Sequence, residues 1–97
     1  MNTSDIADKL RARDLLTLVD EVCKRRGVTL DEVCGRARSQ AVSRARHEVW
    51  WRLRHHPDRE YSYPEIAQLF ARDHTTIMAG ISAYERRTFV TPSVTLH

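Results

Sequence analysis

Residues 72–77 read RDHTTI: an arginine, an aspartate, a histidine and two threonines that run straight into an apolar helical pattern. Hydrogen-bonding side chains at that density suit acid–base catalysis, metal ligation or the reading of another molecule's polar edges. Catalysis requires a base held by an orienting group, and a metal requires several converging ligands. Of His47, His55, His56 and His74, the pair His55-His56 points to different faces of a helix end with no carboxylate at a spacing that would orient either, and the adjacent side chains of Asp73 and His74 are expected to diverge. Cys23 and Cys34 have no CxxC partner and read as two reduced, partly buried thiols. No catalytic residue, metal site or cofactor is expected. Recognition is the chemistry that remains.

The second concentration of chemistry is arginine. Residues 1–33 carry six basic and seven acidic side chains, residues 34–60 seven and three, and residues 61–97 three of each, giving −1, +4 and 0. Arginines at 36, 38, 44, 46, 52 and 54 face a single acid, Glu48, within their stretch, and lysine is absent there. A planar guanidinium suits phosphates and guanine edges better than an ammonium does. An exposed helix face usually mixes both signs, so this bias points to a polyanionic partner.

These groups must be positioned by helices. The 97 residues, 41% hydrophobic and 30% charged, suit one small all-α domain without room for a deep catalytic cleft. Five helical segments are predicted, with no strand alternation. The first runs from about residue 5 to residue 26, carrying Ile6, Leu10, Leu15, Leu16, Val19, Val22 and Cys23 at three-to-four spacing, with Arg13-Asp14 as a possible break. Thr29 to Glu32 form a capping box for a short second helix ending at Gly35. Ser39 caps a third through about residue 56, whose inward stripe is Val42, Ala45, Val49 and Leu53; one ring of Trp50-Trp51 is expected to be buried and the other part-exposed.

Ser62 and Glu65 make a second capping box, with Pro64 in the first turn of a short fourth helix that buries Ile66, Leu69 and Phe70. Asp73 caps the fifth, through about residue 87, with Ile77, Ile81 and Tyr84 inward and Thr75, Met78, Ala79 and Ser82 outward. A short helix, a tight turn at residues 71–73 and a longer helix make a helix-turn-helix. In that motif the first turn of the second helix reaches base edges in the major groove, which accounts for the polar cluster. Asp73 can accept from a cytosine or adenine amino group, His74 can bond or lie against a base, and Thr75 offers a methyl to thymine. Thr76 is expected to turn toward the preceding helix or a phosphate.

YSYPEIAQLFARDHTTIMAGISAYERR resembles the signature of domain IV of the bacterial replication initiator DnaA, and RARSQAVSRARHEVWWRL resembles the basic segment preceding it. The resemblance spans about residues 15–87. It implies an all-α, Trp repressor-like helix-turn-helix domain that binds double-stranded DNA at an asymmetric A/T-rich box of the TTATNCACA type. It also implies that Arg38 enters the minor groove, that Asp73, His74 and Thr75 read the major groove, and that Arg44, Arg46, Arg54, Arg72 and Thr76 lie near phosphates; Arg36, from the same arginine-rich stretch, is expected to bind phosphate as well.

The sequence departs from that family's pattern at several positions. Ala71 stands alone where two glycines are common, Gln40 replaces an arginine, Ala45 a proline, and Ala79 a histidine; Trp50 and Trp51 replace smaller residues. No GxxxxGK[ST] loop occurs, so no nucleotide is expected. The resulting expectation is a non-enzymatic DNA-binding module in regulation of replication or transcription, with residues 1–14 as a helical extension, 15–87 as the binding domain and 88–97 as a flexible tail. A monomer is expected, located in the cytoplasm at the nucleoid, since no membrane span or signal pattern is present. The alternative is a protein-interaction adaptor that keeps the fold, docks a partner through the first helix and binds DNA only weakly.

Overall fold

The computed structural model describes residues 2–89. Six helices follow one another: α1 (Thr3–Ala12), α2 (Leu16–Arg26), α3 (Leu30–Cys34), α4 (Gln40–Arg54), α5 (Tyr63–Phe70) and α6 (His74–Thr88), with no strand among the described residues. None of these helices is long and apolar enough to cross a membrane. The long first helix expected from periodicity is two, divided where Asp14 takes a left-handed conformation at φ 58°. Asn2 caps α1 by accepting from the Asp5 amide, and Gly27 at φ 70° ends α2. Both capping boxes form, Thr29 with Glu32 and Ser62 with Glu65, and Ser39 caps α4. Each supplies an acceptor for an orphan amide.

α1 is not an appendage. Ile6 and Leu10, 1% and 0% exposed, enter the same core as Val19, Val22, Val33, Leu53 and Ile66. Its outward residues Asp5, Asp8 and Arg11 are polar. At the other end, Thr88 is the last residue of α6, and Phe89 packs on Trp51 and Tyr84 at centroid distances of 5.4 and 6.1 Å. These two residues therefore leave the expected tail; the rest of that segment, residues 90–97, lies outside the described residues.

α4 is the helix the others pack on. Trp50 is 1% exposed and meets Phe70 of α5 edge-on, while half-buried Trp51 lies 5.3 Å from Tyr84 of α6. Glu48, 2% exposed, receives Arg25, Arg26 at 2.5 Å and Arg52 at 3.0 Å, which ties α2 to α4. Burial pushes its carboxyl upward, but the hydrogen bonds and charges of Arg25 and Arg26 outweigh that, leaving it below the usual carboxylate range.

α6 crosses α4 at Gly80. A Cβ there would stand 2.7 Å from His47 Cδ2 and from two carbons of the Trp50 ring. The Trp50 ring, 1% exposed, has little room to yield in a packed core, while His47 is only part-buried. The turn between α5 and α6 has the opposite problem, because Ala71 sits at φ 54°, ψ 49°, where a Cβ is strained.

Two substitutions should therefore move stability in opposite directions. Gly80→Ala gains about 1 kcal/mol of helix propensity but loses about 2–3 kcal/mol to overpacking, lowering Tm by several degrees. Ala71→Gly relieves about 1–2 kcal/mol of left-handed strain against a smaller unfolded-state cost, raising Tm by about 3–6 °C. Calorimetry of the two variants beside the parent checks both signs.

Candidate nucleic-acid interface

The first turn of α6 carries the polar cluster at the surface. Asp73 Oδ1 accepts from the Thr75 amide at 3.2 Å and so caps the helix. His74 Nδ1 lies 3.4 Å from the same oxygen, so the two side chains approach rather than diverge as expected. They are 66% and 56% exposed, and Thr75 and Thr76 are exposed beside them while Ile77 behind is buried. Farther along the same side, Met78 is 43% exposed, with Ala79 and Ser82 also open. Met78 lies one turn beyond His74, so the exposed ridge begins polar and becomes apolar.

The arginine-rich loop lies against this turn. Arg36 and Arg38 are exposed in the segment between α3 and α4, and Arg72 donates a hydrogen bond to the carbonyl of Gly35 across that gap. Arg46 does not join them at the surface. It is 6% exposed and donates through Nε to Val33 O at 3.0 Å. Its Nη2 reaches the carbonyls of Glu32, Gly35 and Ala37 at 2.9, 3.1 and 3.2 Å. This placement does not favour the phosphate contact expected of Arg46: its Nε and Nη2 already donate to backbone carbonyls, and little of the side chain reaches the surface. Burial, together with the neighbouring Arg36 charge, holds its pKa below the usual arginine value.

The remaining arginines of α4 have different surroundings. Arg44 is exposed. Arg54 pairs with Glu60 at 3.6 Å and lies over the Tyr63 ring at 5.0 Å, beside the start of α5. Arg72 is half-buried, and burial and the charges of Arg46 and Arg36 lower its pKa.

Sequence reasoning missed a further cation. Arg87, exposed in the last turn of α6, places Nη2 3.4 Å from His47 Nδ1. Partial burial and the charges of Arg44, Arg26 and Arg86 lower its pKa. Among the described residues no carboxylate pairs with Arg36, Arg38, Arg44 or Arg87. Cations therefore gather at both ends of α6, around Arg36 and Arg72 at one and around Arg44 and Arg87 at the other. The only hint in the sequence was a helix ending in two arginines, which usually serves the helix dipole.

Other chemistry finds less support in this arrangement. Among the described residues no group of three or more His, Cys, Asp or Glu is placed to hold a metal ion. His55 stands 3.8 Å from Glu85, and His56 Nδ1 accepts from the Asp58 amide at 3.2 Å. Cys23 and Cys34 are free and buried; burial raises both thiols, Cys34 to about 11. At that value the thiol stays protonated and unreactive.

The model of the family described as bacterial dnaA protein helix-turn-helix matches residues 15–83, more than two thirds of the chain. The matched segment starts after α1 and takes in the arginine loop, α5 and most of α6. No solved structure matches the chain.

His47 gives this face a measurable signature. Burial, then the charges of Arg87 and Arg46, bring its pKa from 6.5 down to about 4. The folded state thus keeps the imidazole neutral where the unfolded chain takes up a proton. The associated stability is present above about pH 6.5 and is lost as pH falls toward about 4. Urea midpoints measured across that window should fall more steeply for the parent than for His47→Gln. Parallel curves would refute the assignment.

Proposed function

The chain belongs to the bacterial dnaA protein helix-turn-helix family, a non-catalytic domain type that binds double-stranded DNA in replication, and on that premise we propose that it reads an A/T-rich, DnaA-box-like site in a sequence-specific way. One observation carries the reading: the Arg72–Gly35 hydrogen bond brings the Arg36–Arg38 loop beside the exposed first turn of α6. A groove-reading helix and a minor-groove arginine must act on neighbouring stretches of one duplex, and this contact supports that juxtaposition.

The proposed roles follow from chemistry and exposure. Arg38 enters a narrow A/T minor groove, whose negative potential favours a guanidinium. Asp73, His74 and Thr75 meet base edges in the major groove, and Met78 extends that row with an apolar contact suited to a thymine methyl. Arg36, Arg44, Arg54, Arg72 and Thr76 hold phosphates, joined by Arg87, while Arg46 does not. Cations at both ends of α6 suit the backbones bordering a major groove. Most of the affinity is sequence-independent and falls with salt; the base-facing residues supply selectivity. An asymmetric site suits a monomer acting in the cytoplasm at the nucleoid. Occupying such boxes regulates replication initiation, or transcription where a box overlaps a promoter.

Binding of a box-containing duplex and a scrambled duplex across a salt series tests this. His74→Ala or Thr75→Ala should lose about 1–3 kcal/mol on the box and little on the scrambled duplex. Arg44→Ala should weaken both and reduce the salt slope by about 0.9. Weak and equal binding of both duplexes by the parent would favour an adaptor instead.

A further inference from the structure

Two guanidiniums, one from α4 and one from the turn between α5 and α6, converge on one carbonyl. Gly35 O accepts from Arg46 Nη2 at 3.1 Å and also from Arg72. Arg46 grips the same stretch at three more points, the carbonyls of Glu32, Val33 and Ala37. No carboxylate pairs with it among the described residues. A buried cation is costly unless its donors are engaged, so the carbonyls must converge on it wherever the fold keeps it buried. The segment also leaves α3 through a tight turn. Gly35 has extended backbone at φ −89°, yet a Cβ there would stand 2.9 Å from the Asp31 carbonyl oxygen. Glycine is needed at this position for space.

The held segment is the one that carries Arg36 and Arg38. Without the clamp, the residues from Gly35 to Ser39 would connect two helices with four exposed side chains and no buried apolar anchor, since Arg36, Ala37, Arg38 and Ser39 all face solvent. We propose that Arg46, with Arg72 as second anchor, is a positioning residue for DNA binding: it fixes the 35–38 backbone and so sets where Arg38 leaves the surface relative to the first turn of α6. Arg46 acts through Arg38 and touches no DNA. This inference rests on the minor-groove reading of Arg38 given above.

Three measurements test it, using Arg46→Met, Arg46→Lys, Arg38→Ala and the Arg38→Ala/Arg46→Met double variant, with circular dichroism to establish folding. In DNA-free protein, trypsin cleavage after Arg36 and Arg38, normalised to cleavage at Arg11 and Arg13, should be about tenfold faster in Arg46→Met. Affinity for the box duplex should fall about tenfold in Arg46→Met but hardly change when the same substitution is made on Arg38→Ala. The salt slope on scrambled DNA should stay unchanged, because no phosphate contact is removed. If Arg46→Met does not fold, Arg46→Lys, which keeps the charge and loses the planar fork, carries the same comparisons. Unchanged cleavage at the loop, additive effects in the double variant, or a slope lowered by about one unit would each overturn the proposal. If the parent does not distinguish box from scrambled DNA, the minor-groove reading fails, and the trypsin comparison still decides whether Arg46 orders the loop.

Discussion

The close crossing of α6 over α4 governs most of what this domain presents to its surroundings. A helix that presents its first turn at a surface has two conflicting needs: one face must be buried deeply enough to hold it rigid, and that turn must stand clear. Gly80 reconciles them. Without a side chain at that point the α6 backbone settles onto His47 and the Trp50 ring, with Ile77 and Ile81 buried on either side. The same ring meets Phe70 of α5 edge-on, so one indole sets the mutual placement of three helices. Once that crossing is fixed, Asp73, His74 and Thr75 project because the helix carries them past the edge of the core.

The second organising force is the high cost of burying charge. Within α4 four arginines meet that cost in four ways: Arg44 stays in solvent, Arg46 is enclosed by carbonyls, Arg52 reaches Glu48 and Glu21, and Arg54 pairs with Glu60 over Tyr63. Glu48 shows the same physics from the other sign, remaining charged in the core because three guanidiniums surround it. The excess of +4 in residues 34–60 thus overstates the number of cations a phosphate can touch. The buried charge is not lost, however. It sits at low dielectric close to Arg36 and Arg72 and adds to the positive field at that end of α6.

Local rules were strong in this sequence, so the helix starts were legible. Thr29, Ser39, Ser62 and Asp73 each cap the helix they were expected to cap, because a cap depends only on side chains within three or four residues. What the sequence concealed was long-range. Arg46 falls at i+4 from Val42, i−3 from Val49 and i−7 from Leu53, so helical periodicity alone places it on the buried stripe. The phosphate role expected of Arg46 came from the family resemblance, which carries over a residue type but not its burial. The carbonyls that make its burial tolerable come from α3 and the following loop, and no local pattern announces them. Gly80 and Arg87 were hidden for the same reason, since their neighbours His47 and Arg44 lie 33 and 43 positions away in the chain.

The turn between α5 and α6 shows how one local economy shapes the whole surface. A single residue, Ala71, adopts the left-handed conformation that ends α5, and the Arg72 amide bonds back to Ala67 O at 2.9 Å. With the chain turned so tightly, the Arg72 side chain reaches the Gly35 carbonyl instead of projecting freely into solvent. One cation is thereby partly withdrawn from direct contact with an anion. In exchange, the arginine loop and the first turn of α6 are joined into one body. Ordering a loop at the moment of binding costs conformational entropy, and a loop already held in the free protein avoids much of that cost. A domain this small has little contact area to offset such ordering, so fixing the loop in advance is worth more here than one additional mobile charge.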